Sequence, residues 1–323
     1  MVNKAILGLI TISLIAGLVY WLLLTHRRKH RLMVKARNIE LYTEHFGNQS
    51  NPAVLLISGA MASARFWPDK FCQDIADHGY FVIRYDHRDM GRSSAVDYAK
   101  NHYTLNDLEQ DAVAILDAYK ITKAHLVGHS MGGAIAQLIA IDHPNRVLSV
   151  VPISSAALTQ AQLNSHEKEV LEQTWPVLMR NKPTAKFEES VDGFLRSYEY
   201  LHGDIPMDQE LARRYIYDMY MRSKPEHIEW FAKFSSGAEP MHNHVKAQQP
   251  MPDRIHDLKK VQVPVLVIHG SKDCLSFPRL MKEYCADIVP HATMTEIDGM
   301  GHMILSDNLW KTIEKLLIKF WLR

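Results

Sequence analysis

The stretch HLVGHSMGGA, His125–Ala134, decides how the rest of the chain is read. Ser130 has a glycine two residues away on each side, Gly128 and Gly132, with an apolar run before it and a helix-like run after it. Ala134, Ile135, Leu138 and Ile139 recur at helical spacing, and Pro144 marks the stop. The serine is therefore expected at a strand-to-helix turn. A sharp turn brings backbones close together, and side chains at the two glycine positions would clash. A serine in such a place either caps the helix or stands out as a nucleophile in the pattern G-x-S-x-G, here G-H-S-M-G. Five residues alone are a weak signal; the strand–turn–helix setting strengthens it and favours the nucleophile.

Outward from this turn, apolar runs recur. Residues 39–46 alternate like a partly exposed strand, and 53–59, AVLLISG, read as a strand buried on both faces. Further runs fall at 80–86, 123–129, 146–154, 263–270 and 292–299, with helix-like segments between them. In 105–120, for example, Leu108, Ala112, Ile115, Leu116 and Tyr119 share one face. Strands alternating with helices predict a mostly parallel sheet covered on both sides. The rhythm breaks over residues 156–252, which are rich in helix formers, Met, Tyr and Trp and read as an inserted helical lid. Its Trp175, Met179, Tyr198, Met207, Tyr217, Met219, Met221 and Trp230 could line an apolar substrate site, but mostly read as the lid's own core. The segment carries no candidate for the chemistry, so it is expected to set substrate choice rather than the chemical step. Residues 238–252 read as its irregular return, with His242 and His244 solvated rather than metal-bound.

Ligands of an open α/β sheet sit at the carboxyl ends of the strands. A serine hydroxyl there needs a base, and the base an orienting acid, in the chain order Ser, Asp or Glu, His. Asp273 follows the 263–270 run and His302 follows the last one, so Ser130, Asp273 and His302 form the expected triad. His269 and Asp298 fall within or at the edge of strands, and His129, adjacent to the serine on a tight turn, should point away from it. The developing oxyanion needs backbone donors. These are expected to be the N–H of Met131 and that of Ala60, with Met61 as second choice, while Gly59 allows close approach of the loop. The charged run RYDHRDMGRSS, 84–94, reads as structural, with Asp86 and Arg88 bridging strand ends beside the turn.

Ala5–Leu24 is a run of 20 residues without a charge, and at about 1.5 Å per residue it can cross a hydrocarbon core about 30 Å thick. A basic segment, and no small-residue cleavage site, follows it, so a retained anchor is favoured over a signal peptide. Arg27, Arg28, Lys29, Arg31, Lys35 and Arg37 lie on the C-terminal side against Lys4 alone on the other, which places the main domain in the cytoplasm. The expected organisation is an N-terminal transmembrane helix (1–24), a basic juxtamembrane segment (25–37), an α/β core in two parts (38–155 and 253–323) and the lid (156–252). A net charge of +1 over 323 residues gives no reason to invoke nucleic acid, and three scattered cysteines suggest neither a disulfide framework nor a zinc site.

Taken together, the segments 39–59, 66–94, 125–147, 263–273 and 297–304 resemble the α/β-hydrolase family, in particular the aclacinomycin methylesterase-like group of serine esterases. The resemblance covers roughly residues 38 to 321. It implies an eight-stranded, mostly parallel sheet with a helical lid, no cofactor, and hydrolysis of a small-molecule or lipid-like carboxylic ester, with Ser130, Asp273 and His302 at the triad positions. The chain departs from the wider family in having Ser58-Gly59 where His-Gly is common, in RDMG for R-G-x-G, and in the anchor. An acyltransferase or a perhydrolase would use the same triad; a non-catalytic binding module is disfavoured because all three members are present. An aspartate nucleophile would have pointed to a dehalogenase or epoxide hydrolase.

Overall fold

Eight strands, β1 (His30–Ala36), β2 (Ile39–Phe46), β3 (Ala53–Ile57), β4 (Phe81–Tyr85), β5 (Ala124–His129), β6 (Val147–Ile153), β7 (Leu266–Gly270) and β8 (Thr293–Ile297), form one sheet in the order β1-β2-β4-β3-β5-β6-β7-β8. This is a computed structural model, and it describes residues 30–159, 162–181, 186–223, 241–289 and 291–322. β2 is antiparallel to β1 and β4, and every other pairing is parallel. The strands β3, β4 and β7 are buried along their whole length, as largely apolar runs are when helices cover both faces. The expected anchor, Ala5–Leu24, lies outside the described residues, as does Trp230. Among the described residues no helix is long and apolar enough to cross a membrane.

The helices divide between the two faces. On one lie α2 (Leu105–Ala118) and α3 (Met131–Asp142), whose Leu108, Ile115, Ile135 and Leu138 join the core over β3 and β5. On the other lie α1 (Asp69–Asp77) and α10 (Asp307–Trp321). These two meet through Phe71 and Trp310, whose rings are 4.8 Å apart. Between β6 and β7 come the lid helices α4 (Ser165–Arg180), α5 (Phe187–His202), α6 (Gln209–Met221) and α7 (Met241–Ala247). Short helices α8 (Ile255–Leu258) and α9 (Pro278–Glu283) flank β7. Within the lid, Met219 is buried, and Tyr198, Met207 and Tyr217 pack against the core. Trp175, Met179 and Met221 are instead more than half exposed, at 52%, 53% and 65%, so they do not contribute to the lid's own core.

The sheet starts earlier than the expected boundary at residue 38. The stretch expected to be a basic spacer forms β1, paired with β2 from His30↔His45 to Ala36↔Ile39. Its charge hides a short alternation: Arg31, Lys35 and Arg37 face out while Val34 and Ala36 are buried. A chain beginning at Arg37 should therefore melt lower than one beginning at Lys29. Burial of Val34 alone contributes about 1.5–3 kcal/mol, and the shorter chain also bares the backbone edge of β2. Thermal melts of the two chains check this; equal midpoints would refute it.

One buried ion cluster ties the lid to this edge of the sheet. Glu44 of β2 accepts from Arg84 Nε at 2.9 Å and from Arg222 Nη2, just past α6, at 2.8 Å. Burial alone would raise the Glu44 carboxyl, but the charges of Arg84 and Arg222 outweigh it and hold the group at about 2.

Candidate active site

The strand order reverses between β3 and β5, which lie side by side although β4 separates them in sequence. Loops leaving their carboxyl ends diverge, and a crevice opens there. Ser130 stands at that point, between β5 and α3, with φ 51° and ψ −121° and its N–H donating to Ile153 O at 2.9 Å. A non-glycine residue with positive φ is uncommon and carries strain. The flanking glycines are there because nothing else fits: a Cβ on Gly128 would stand 2.1 Å from Gly132 O, and one on Gly132 2.1 Å from Ile57 O. The Ser130 side chain makes no capping bond to the helix, so the helix-cap reading fails.

Instead, Ser130 Oγ lies 3.1 Å from His302 Nε2. His302 Nδ1 lies 3.0 and 2.9 Å from the two carboxylate oxygens of Asp273. A carboxylate only accepts, so Nδ1 carries the ring proton and Nε2 turns its lone pair to the serine hydroxyl. Asp273 is buried in turn and accepts the N–H groups of Leu275 at 2.9 Å and Ser276 at 2.8 Å. Burial alone would raise its carboxyl. The charge of His302 and the hydrogen bonds from His269 and His302 outweigh burial and keep it well below the ordinary carboxylate range.

Of the competing residues, Asp298 accepts a hydrogen bond from Ser271 Oγ at 3.0 Å and is absorbed there. His129 points away from Ser130, as the tight turn demands. Its Nε2 donates to the His302 carbonyl at 2.8 Å and its ring stacks on Phe66 at 4.4 Å. Burial first, then the charge of His302, depress its pKa to about 3, so it stays neutral. His269 lies within β7, as its place in the apolar run suggested, yet its Nε2 is 3.3 Å from Asp273 Oδ2 and 2.5 Å from Ser276 O. Sequence reasoning set it aside; the one available signal was its position four residues before Asp273.

The loop after β3 completes the crevice. Gly59 runs so close to the elbow that a Cβ there would be 3.0 Å from His129 Nδ1 and 3.2 Å from Ser130 Cβ. Among the described residues, no group accepts the N–H of Ala60 or of Met131. The N–H of Met61, the second choice, is taken: it donates to His244 Nδ1 at 3.1 Å. His244 is thus fully buried and bonded, not solvated as its polar surroundings in sequence suggested. The Ser58 carbonyl accepts from His87 Nε2 at 3.0 Å and the Ser58 hydroxyl donates to Ser63 O at 3.2 Å, so hydrogen bonds still hold the loop where the family commonly has histidine. Asp86 is structural, accepting the N–H groups of Ala64 at 2.7 Å and Arg92 at 3.0 Å. Arg88 pairs with Asp111 on α2 at 2.8 and 2.7 Å, so it bridges to a helix rather than to another strand end. A cleft of about 410 Å³ borders Asp273 between α4 and the loop after β7, but neither Ser130 nor His302 lines it, so it is not taken for the acyl site.

Residues 52–309 match the model of the alpha/beta hydrolase fold family. The chain belongs to the α/β-hydrolase family. It is similar to rhodomycin D methylesterase DauP of Streptomyces sp. (strain C5), 33% identical over 288 residues covering 84% of this chain and 92% of that one. It is similar also to rhodomycin D methylesterase DnrP of Streptomyces peucetius, 32% identical with the same coverage. Among solved structures, an esterase from Exiguobacterium antarcticum superposes with a TM-score of 0.68 at 19% identity, over 90% of this chain and all of that one. At that identity the likeness speaks to the fold alone.

Proposed function

We propose that this α/β-hydrolase is a serine-dependent carboxylic ester hydrolase. The observation that carries the reading is the continuous relay from Ser130 Oγ through His302 to Asp273. In this reading Ser130 Oγ attacks the ester carbonyl carbon while His302 Nε2 takes its proton. The tetrahedral oxyanion lies against the N–H groups of Ala60 and Met131, and the buried Asp273 carboxylate stabilises the imidazolium. His302 then returns the proton to the leaving alcohol, the C–O bond breaks, and an acyl-Ser130 ester remains. Water attacks this ester with His302 again as base, releasing the acid and restoring the serine. The similarity to two methylesterases over most of both chains favours an ester as the scissile group. The test is a screen of the purified full-length chain against methyl esters and p-nitrophenyl esters of increasing acyl length, with mixed water and alcohol as acceptors. Free acid as product is expected. Ester exchange in preference to acid would turn the reading to an acyltransferase, and no cleavage of any ester would defeat it.

The sequence also supports a membrane tether through Ala5–Leu24, with the hydrolase domain on the cytoplasmic side, because six basic residues follow the apolar run and only Lys4 precedes it. Alkaline phosphatase fused after Arg323 and expressed in cells should then be inactive, since that enzyme works only outside the cytoplasm. Strong phosphatase activity would reverse the orientation.

A further inference from the structure

One histidine of the lid's return reaches into the loop that faces the elbow. His244, on α7, is fully buried, and both of its ring nitrogens are bonded: Nδ1 accepts the Met61 N–H at 3.1 Å, and Nε2 lies 2.8 Å from the carbonyl of Arg88. The roles are forced. A backbone N–H can only donate and a carbonyl can only accept, so Nδ1 bears the lone pair and Nε2 the proton. The ring's anchor is itself rigid. Arg88 is gripped by both oxygens of Asp111, and its guanidinium lies 4.9 Å over the Tyr103 ring. The adjacent Asn243 donates to Asp89, which also accepts from Tyr103, at 3.1 and 2.7 Å. Burial keeps the His244 ring neutral, with its pKa down at about 4, so the lone pair is available at working pH.

What His244 holds is a strained turn. The Ala62 N–H reaches Gly59 O at 3.4 Å, so Gly59–Ala62 is a turn with Ala60 and Met61 at its centre. Met61 has φ 60°. That is the left-handed region, usually given to glycine at this position of a turn. The Met61 N–H finds its acceptor in the buried His244 ring; loss of that bond would let the turn relax and re-aim the Ala60 N–H beside it.

We propose that His244 is a positioning residue for the oxyanion site: its Nδ1 lone pair holds Met61 so that the Ala60 N–H faces the carbonyl under attack. The inference rests on the Ser130–His302 reading. It also means that the lid, expected to act on substrate choice alone, reaches the chemical step through its last helix.

Two amides separate the ring's two roles. In His244→Asn the amide oxygen stands at the branch point of Nδ1 and can accept from Met61, but nothing reaches Arg88. In His244→Gln the amide nitrogen reaches the place of Nε2 and can donate to Arg88, but the acceptor for Met61 is gone. Each loses one hydrogen bond, so a merely structural role would affect both alike. With p-nitrophenyl acetate, kcat of the Gln variant should fall about 10- to 100-fold with KM within about twofold, because a misaimed donor weakens only transition-state stabilisation. The Asn variant should stay within about threefold of wild type. Melting temperatures of the two should be similar. Equal kcat in both variants, or a Gln effect confined to KM, overturns the role. Nitrogen-15 NMR of the wild-type chain tests it without any variant: His244 should carry its proton on Nε2, and an Nδ1–H tautomer overturns the proposal. A wild type that cleaves no ester defeats the Ser130 reading and this one with it. An active wild type with indistinguishable variants defeats the His244 role alone.

Discussion

Ser130→Ala should lower kcat on every ester the chain cleaves by at least about 10⁵-fold, the scale seen when the nucleophile of a triad is removed. Among the described residues, the Ser130 hydroxyl is the group that His302 Nε2 is placed to deprotonate, at 3.1 Å, while His302 Nδ1 is held by Asp273. The fold should survive. The Ser130 side chain caps nothing, and the turn is shaped by the backbone bond to Ile153 and by the two glycines. A fluorophosphonate probe should accordingly label the wild type on Ser130 and leave Ser130→Ala untouched, with the two proteins melting together. Labelling at another residue, or more than about a hundredth of wild-type kcat in the variant, would show that the chemistry runs elsewhere.

The second large effect is expected at a residue that never touches substrate. Asp273→Asn should cost about 10⁴-fold in kcat with little change in KM, by the loss of the correct histidine tautomer. The amide oxygen will stay with the N–H groups of Leu275 and Ser276, which both point at Oδ1. That leaves the amide NH₂ on the side of His302 Nδ1 and His269 Nε2. Two donors cannot face each other, so His302 must give up its Nδ1 proton, carry it on Nε2 and donate to Ser130 instead of accepting. Steady-state kinetics with a melting curve check this. A variant within tenfold of wild type would mean that another carboxylate orients His302.

Most of the site was legible before any tertiary contact was known, because its signals are local. A strand, a glycine-pinched serine turn and a helix with Pro144 behind it are short-range features of the chain. The positions of Asp273 and His302 after the last two apolar runs follow from counting strands. The same local reading failed where charge hides pattern or a partner lies far away. The alternation of β1 spans only Val34 and Ala36 within a basic run, so it reads as a spacer. His244 sits among polar residues and looks solvated, yet its partner Met61 is 183 positions away in the chain.

The sequence by itself determined the mostly parallel sheet, the turn at Ser130 and the three residues, Ser130, Asp273 and His302, that the fold brings within hydrogen-bond distance. Apolar periodicity and backbone crowding at Gly128 and Gly132 act over a few residues and are written in residue order. Only the tertiary structure decided that β1 extends the sheet, that His269 shares the Asp273 carboxylate, and that Met61 is tied to the lid. Which donor meets which buried acceptor is a matter of distance and direction in space, and a buried N–H takes the acceptor that packing brings to it.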